Sequence, residues 1–207
     1  KTKEVFKLAY KNKKFIFTDF PYVYSNSINA LVPKLKKIGK VKRVDISFWQ
    51  LGRFNRGDVI DLLGVHILSI LNYLFHFKKI NITSNSFFSS KNSKLPENRE
   101  IIFTSKRIKF HISMNILSPN KYRVMTVYGE NNIIQWSPDK DDSIITFNKN
   151  IDAKNNSSKA LRFNDKHSLR NVINFSAKAL NQHLISNKIL AVKVQEDLAK
   201  IKNFGAI

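Results

Sequence analysis

The chain has no cysteine, which excludes disulfides, cysteine-ligated zinc and thiol catalysis and suits a reducing compartment such as the cytoplasm. Glycine is scarce and scattered: Gly39, Gly52, Gly57, Gly64, Gly129 and Gly205 include no pair closer than five positions. A loop that brings backbone against pyrophosphate at a helix N-terminus cannot be assembled from them. No apolar run reaches the roughly 18 residues that span a bilayer. Acidic residues are few, 15 against 36 Lys and Arg, and no carboxylate pair or Ser-His-Asp order suggests hydrolysis. His76, His111, His167 and His183 lie far apart, without the spacing of metal ligands.

What is present is a core. Apolar residues make up 43% of the 207 positions, with 16 Phe among them, so the chain is not disordered. This length suits one domain, or one domain plus a fragment of a second, and buries roughly 70% of the unfolded surface. The formal charge of +21 raises the question of nucleic acid, because Lys and Arg supply most non-specific phosphate affinity. Here Lys recurs through every segment beside abundant Asn, Ile and Ser, the signature of AT-rich codons, and no basic helix, Arg-Gly repeat or zinc-finger spacing accompanies it. Nucleic acid is not expected as a partner, and neither is a membrane.

Along the chain, Thr2 to Asn12 is patterned as a short amphipathic helix and Lys14 to Thr18 as a strand, the end of an αβ unit. Ser25 is placed to cap a helix from Asn26 to Ile38, with Gly39 as its stop and Pro33 as an irregularity inside it. Lys40 to Gln50 alternates apolar and polar residues, as a strand covered on one face does. After Gly57 comes a long apolar helix, 59 to 75. Strands are expected at 80–88, 100–105, 107–117, 122–129, 133–136 and 143–147, joined by turns such as Ser118-Pro119-Asn120-Lys121 and Gly129-Glu130-Asn131-Asn132, in an antiparallel meander. Polar loops follow at 87–96 and 148–158. Helices are expected from Asp165 or Ser168 to about Ser186 and from Val192 to Asn203.

The apolar helix holds two polar intrusions three residues apart, His66 and Ser69. On its own, His66 reads either as a core histidine or as part of a site. Ser69 either orients the ring or bonds a carbonyl one turn back, the plainer role. Asp61, five residues before His66, falls about 140° round a regular helix and serves as a first-turn acid unless the helix is distorted there. Arg53 and Asn55 occupy the polar loop between strand and helix, and Tyr22 and Tyr24 flank the strand-to-helix turn, as core rings or as the lining of a cleft.

Taken in order, these stretches resemble the C-terminal domain of the Gfo/Idh/MocA oxidoreductase family. Thr18-Asp19-Phe20-Pro21-Tyr22-Val23-Tyr24-Ser25 is similar to the family's Asp-His-Thr-Phe-Leu-Tyr-Ser, and Gly39-Lys40-Val41-Lys42-Arg43-Val44 to its Gly-x-Ile/Val-x-x-Val strand start. Leu51-Gly52-Arg53-Phe54 and the run from His66 to Leu74 resemble the next two motifs, the second of them His-Asp-Leu-Ser-Ile-Leu-x-Tyr-Leu, and Ile112 to Gly129 the strand, Ser-Pro turn and Lys-x-Arg strand that follow.

The resemblance implies an α+β fold, a large open and mainly antiparallel sheet with helices on one face, over 21–207, preceded by the last αβ unit of a truncated Rossmann domain, 1–20. Because Lys1 is not a translation start, the rest of that domain is expected upstream, with NAD or NADP bound there and a Glu-Lys-Pro motif near its end. The implied activity is dehydrogenation of a sugar, sugar nucleotide or cyclitol, with a homo-oligomer formed through the sheet face. His66 then matches the histidine beside the reacting hydroxyl. A neutral imidazole, with a reference pKa of about 6.5, is suited to take that proton. Many members carry Asp four residues before this histidine, where the chain has Leu62, so Asp61 serves only if the helix is distorted. Arg53, Asn55, Tyr22 and Tyr24 are the implied substrate contacts.

Overall fold

The computed structural model describes residues 1–51, 57–91, 93–139, 142–148, 158–163, 168–181 and 187–204. In chain order its elements are α1 (Thr2–Lys11), α2 (Asn26–Leu35), β1 (Arg43–Leu51), a π-helical turn (Ile60–Gly64), α3 (Val65–Phe75), β2 (Asn81–Phe88), β3 (Asn98–Ser105), β4 (Ile108–Asn115), β5 (Leu117–Tyr128), β6 (Asn132–Ser137), β7 (Ser143–Asn148), β8 (Lys159–Arg162), α4 (Ser168–Asn181) and α5 (Lys188–Asn203). The strands form one open sheet in the order β2-β3-β4-β1-β5-β6-β7-β8. Every neighbouring pair is antiparallel except β1 with β4. The expected α+β architecture is the observed one.

Alternation decides which face the helices cover. Val44, Ile46 and Phe48 of β1 are buried and share their face with Phe110, Ile112 and Met114 of β4 and with Met125 and Val127 of β5. Of the intervening residues, Trp49, His111, Tyr122 and Val124 remain partly or largely exposed on the opposite face. α3 buries Ile67, Leu68, Ile70 and Leu71, and α5 presents Ala191, Val194, Leu198 and Ile201, one stripe at helical spacing. Each such side chain, taken out of water, contributes about 1.5–3 kcal/mol. One polar contact runs through this helix pair, Asn72 Nδ2 donating to Asp197 Oδ2 at 3.0 Å. On the far side of α5, Lys3 of α1 pairs with Glu196 at 2.6 Å.

Several boundaries differ from the sequence reading, each for a physical reason. Residues 14–18 are extended but pair with no strand among the described residues, although Phe15 and Phe17 stack at 6.2 Å. β sequence pattern produces a ladder only where a neighbouring strand exists. Ser25 caps α2 as expected, its Oγ accepting from the Ile28 N–H at 3.2 Å, and Pro33 lies in the last turn, where one missing N–H ends the helix early at Leu35. Gly39, at φ +76°, reverses the chain and packs against Glu130 and Asn131. Ser118 to Lys121 is no turn: β5 runs unbroken from Leu117, and β1 lies between β4 and β5, Leu51 pairing with Leu117. β8 has no counterpart in the sequence reading, and α5 starts four residues before the expected Val192.

The entry to α3 is held by a buried ion pair. Asp58 Oδ1 accepts from the Ile60 N–H at 3.0 Å, and Oδ2 accepts from Arg99 Nη2 at 2.8 Å. The Arg99 side chain is only 5% exposed and also donates to Asn85 Oδ1, so the pair fixes the helix start onto β3 and β2. Asp58→Ala strands a buried guanidinium and removes a cap, and is expected to lower unfolding free energy by about 3 kcal/mol or more. A urea midpoint unchanged from wild type would rule out this anchoring role.

Candidate functional site

The segment between the end of β1 and α3 decides where His66 stands. Here the helix does not begin as a regular α-helix but as a π turn across Ile60–Gly64, whose hydrogen bonds enclose about one more residue than an α turn. Such turns recur at functional sites. A π turn advances each residue by less than the roughly 100° of a regular helix, so the angle between Asp61 and His66 is smaller than the about 140° expected from an α-helix. Asp61 is half exposed and accepts from Lys202 Nζ of α5 at 2.5 Å. Among the described residues Asp61 makes no hydrogen bond to His66.

His66, in the first turn of α3, meets Tyr22, with ring centroids 5.5 Å apart and planes at 79°. Tyr22 in turn packs edge-on against Phe48 at 5.5 Å and Trp136 at 6.1 Å. Over this aromatic group lies Arg123 of β5, its guanidinium carbon 5.7 Å from the Tyr22 ring and 5.5 Å from the Phe48 ring, in cation–π range. Arg123 Nη2 donates to Gln50 Oε1, and Nη1 stands 3.9 Å from Asp139. Its Nε is buried with no hydrogen-bond partner among the described residues. Ser69 takes the plainer role, its hydroxyl donating to the His66 carbonyl at 2.8 Å.

The electrostatics of this cluster favour a neutral ring. Burial pushes the His66 pKa below its ordinary value, the Arg123 charge pushes it the same way, and Asp19 opposes both. Its Nδ1 is enclosed without a hydrogen-bond partner among the described residues. The Tyr22 hydroxyl is pushed up by burial, with Arg123 working against that shift, so it stays a phenol that can donate and accept. The arrangement offers a neutral imidazole, a phenol and a guanidinium side by side, a set that can exchange a proton with a hydroxyl and hold neighbouring oxygens.

Of the residues singled out from sequence, Tyr22 and His66 come together. Tyr24 turns to the other side of its segment, where its hydroxyl accepts from Asn187 Nδ2 at 3.0 Å and its ring packs on Phe175 at 4.7 Å. Arg53 and Asn55 lie outside the described residues. Leu62 is partly buried beside Gly57. Arg123 is absent from the sequence reading of the site, yet the alternation of β5 holds the signal: it shares parity with the buried Met125 and Val127, an odd place for a cation. Gln50 is the same kind of exception at the end of β1.

A lowered histidine pKa makes stability depend on pH with a defined sign. The unfolded chain binds a proton at His66 near 6.5 while the folded chain resists it, so this contribution is fully present above 6.5 and lost as pH falls toward the lower folded value. Wild type is therefore expected to lose more stability between pH 7.5 and pH 5.5 than His66→Gln, followed by urea unfolding at each pH. Equal losses would show that the ring is not held neutral by the fold.

No protein-family model matches the chain, and no curated protein matches it by sequence. Solved structures do match. UDP-N-acetylglucosamine 3-dehydrogenase GnnA from Acidithiobacillus ferrooxidans superposes with a TM-score of 0.82 at 10% identity, covering 97% of this chain and 64% of its own. The dehydrogenase MviM from Clostridium difficile gives 0.78 at 13% identity, with 97% and 66% covered. KijD10, a 3-ketoreductase from Actinomadura kijaniata solved as a point mutant with TDP-benzene and NADP, gives 0.79 at 8% identity, with 97% and 63% covered. The chain thus spans about two thirds of the length of these neighbours. At such low identity the likeness is one of architecture, and it is consistent across neighbours: the chain has the fold of the C-terminal domain of Gfo/Idh/MocA-type oxidoreductases.

Proposed function

We propose that the complete protein is an NAD(P)-dependent oxidoreductase acting on a sugar, sugar nucleotide or cyclitol in the cytoplasm, and that residues 21–207 are its substrate-binding and oligomerisation domain. The observation that carries this reading is His66 behind a π turn, its Nδ1 buried and its ring edge-on to Tyr22 at 5.5 Å. That turn, one residue wider than an α turn, supports reading Asp61 as the counterpart of the family's carboxylate, displaced by one in sequence from Leu62. His66 takes the proton of the substrate hydroxyl in the oxidising direction and returns it in the other. Tyr22 and Arg123 hold neighbouring oxygens, and Arg53 and Asn55 contact the sugar or its nucleotide.

The cofactor belongs elsewhere in the protein. Gly39, between α2 and β1, packs against Glu130 and Asn131, Gly129, between β5 and β6, packs against Ile38, Gly64 lies inside the π turn against Ile60 and Met114, and Gly57 stands apart before that turn, so no pyrophosphate cradle exists among the described residues. NAD or NADP supplies the hydride chemistry from a Rossmann domain whose tail is 1–20. The unpaired extended segment 14–18 supports this, since a parallel sheet upstream would give it the neighbour it lacks here. The helix-free sheet face, with Trp49, Tyr122 and Val124 accessible, is the surface for a second copy. Among the described residues no helix is long and apolar enough to cross a membrane.

A second reading, a binding or assembly module of the same fold without chemistry, is favoured by the Asp61–Lys202 pair, which holds the acid on α5. Turnover separates the two. With the complete gene product, NAD or NADP and a panel of sugar nucleotides and cyclitols, His66→Asn is expected to lower kcat by about 10²–10⁴ while cofactor affinity holds. Asp61→Asn is expected to lower it as well. Absence of any turnover, or kcat untouched by His66→Asn, selects the second reading. The coding sequence upstream of Lys1 gives an independent check: Gly-x-Gly-x-x-Gly near its start and Glu-Lys-Pro near its end are expected.

A further inference from the structure

A cleft opens at the C-terminal end of α3, about 15 Å along the helix from His66 at 1.5 Å per residue. Its volume is about 620 Å³, and it lies between the last turn of α3, α4, the first turn of α5 and the turn joining β3 to β4. Pockets for small organic molecules run from about 300 to 1,000 Å³. Rings and aliphatic side chains build its walls, chiefly Tyr24, Tyr73, Phe77, Phe175, Ile189 and Leu190. The cations around it are Lys78, Lys106 and Lys193, with the His76 imidazole beside them and no carboxylate among the described lining residues. Asp197 stands behind Lys193 and pairs with it. Lys106 Nζ lies 3.4 Å from the Phe75 carbonyl and covers the negative end of α3.

Two features of the cleft point to a missing occupant. The first is the start of α5, a 16-residue helix whose N-cap residue Asn187 gives it no side-chain bond. Asn187 is spent elsewhere: Oδ1 accepts from the Thr18 N–H at 2.9 Å, and Nδ2 donates to the Thr18 carbonyl at 2.7 Å and to the Tyr24 hydroxyl. First-turn N–H groups left without a cap favour an anion. The second is Asn72, which lines the cleft and is only 5% exposed. Its Nδ2 is committed to the Leu68 carbonyl and to Asp197, both at 3.0 Å, which fixes the amide orientation. Its Oδ1 is buried without a partner among the described residues. A buried acceptor in that state calls for a donor.

We propose that this cleft binds a flat organic anion: an aromatic body between the rings, a phosphate or carboxylate against Lys78, Lys106 and the start of α5, and an N–H or O–H donor on Asn72 Oδ1. The rings supply stacking surface, and the cations with the helix N-terminus supply charge complementarity. The cleft is separate from the His66 cluster, so this inference stands or falls independently of the oxidoreductase reading.

Calorimetric titration tests it with two probes, adenosine monophosphate and 4-hydroxyphenylacetate, which separate a nucleotide phosphate from an aromatic carboxylate. At least one is expected to bind wild type. Ile189→Trp, which fills the cleft from a side chain that is 81% exposed, and Lys78→Ala/Lys106→Ala are expected to weaken that probe tenfold or more, about 1.4 kcal/mol. His66→Ala is expected to leave it unchanged. Failure of both probes to bind at millimolar concentration, equal binding by the cleft variants, or a loss with His66→Ala as large as theirs would overturn the proposal.

Discussion

The parallel pairing of β1 with β4 is the constraint from which the architecture follows. Antiparallel strands can be joined by a tight turn, whereas a parallel neighbour requires the chain to cross the sheet and return. After Leu51 the chain therefore passes over the helix face, lays down the π turn and α3, and comes back through β2 and β3 before β4 can pair with β1. β5 then takes the opposite edge of β1, with a single residue, Ile116, between it and β4. The crossover is what delivers His66 to the sheet: Phe75 of α3 packs edge-on against Phe110 of β4, and Tyr22 links His66 to Phe48 of β1, which stands opposite Arg123 of β5 in register.

At that point apolar packing and polar chemistry share the same rings. Tyr22 is wedged among Phe48, Trp136 and His66, and its orientation is fixed as a core residue's would be. The guanidinium of Arg123 closes the group from the strand side and, with burial, discourages a second positive charge on the imidazole. The surroundings that orient the ring thus also push its pKa down. The π turn adds a local exception, a departure from ideal helix geometry immediately before His66.

Much of the fold was legible because its signals are local. Ser25 before Asn26, the alternation of Val44, Ile46 and Phe48, and the unbroken apolar run after Gly64 each determine their element through neighbours in sequence. The misreadings lie where a distant partner decides. Residues 14–18 have strand composition but no ladder, and Ser118 to Lys121 look like a turn yet continue β5 at the end of the sheet. The site was half legible. His66 and Tyr22 stood out by type, while Arg123 became visible only once the parity of β5 was known. The π turn entered the sequence reading only as the alternative of a distorted helix at Asp61, because an extra residue within a helix leaves no compositional mark.

The two tryptophans divide between the faces of the sheet. Trp136 is fully buried under the helices, its indole N–H donating to Ser27 at 3.0 Å, while Trp49 lies on the open face beside Tyr122, donating to Ser113 at 2.8 Å. The molecule therefore carries two intrinsic fluorophores with separate loyalties. Trp136 reports the integrity of the layer that positions His66, and Trp49 reports whatever comes to rest on the other side, so emission from the two can separate loss of the core from a change in assembly without any added label.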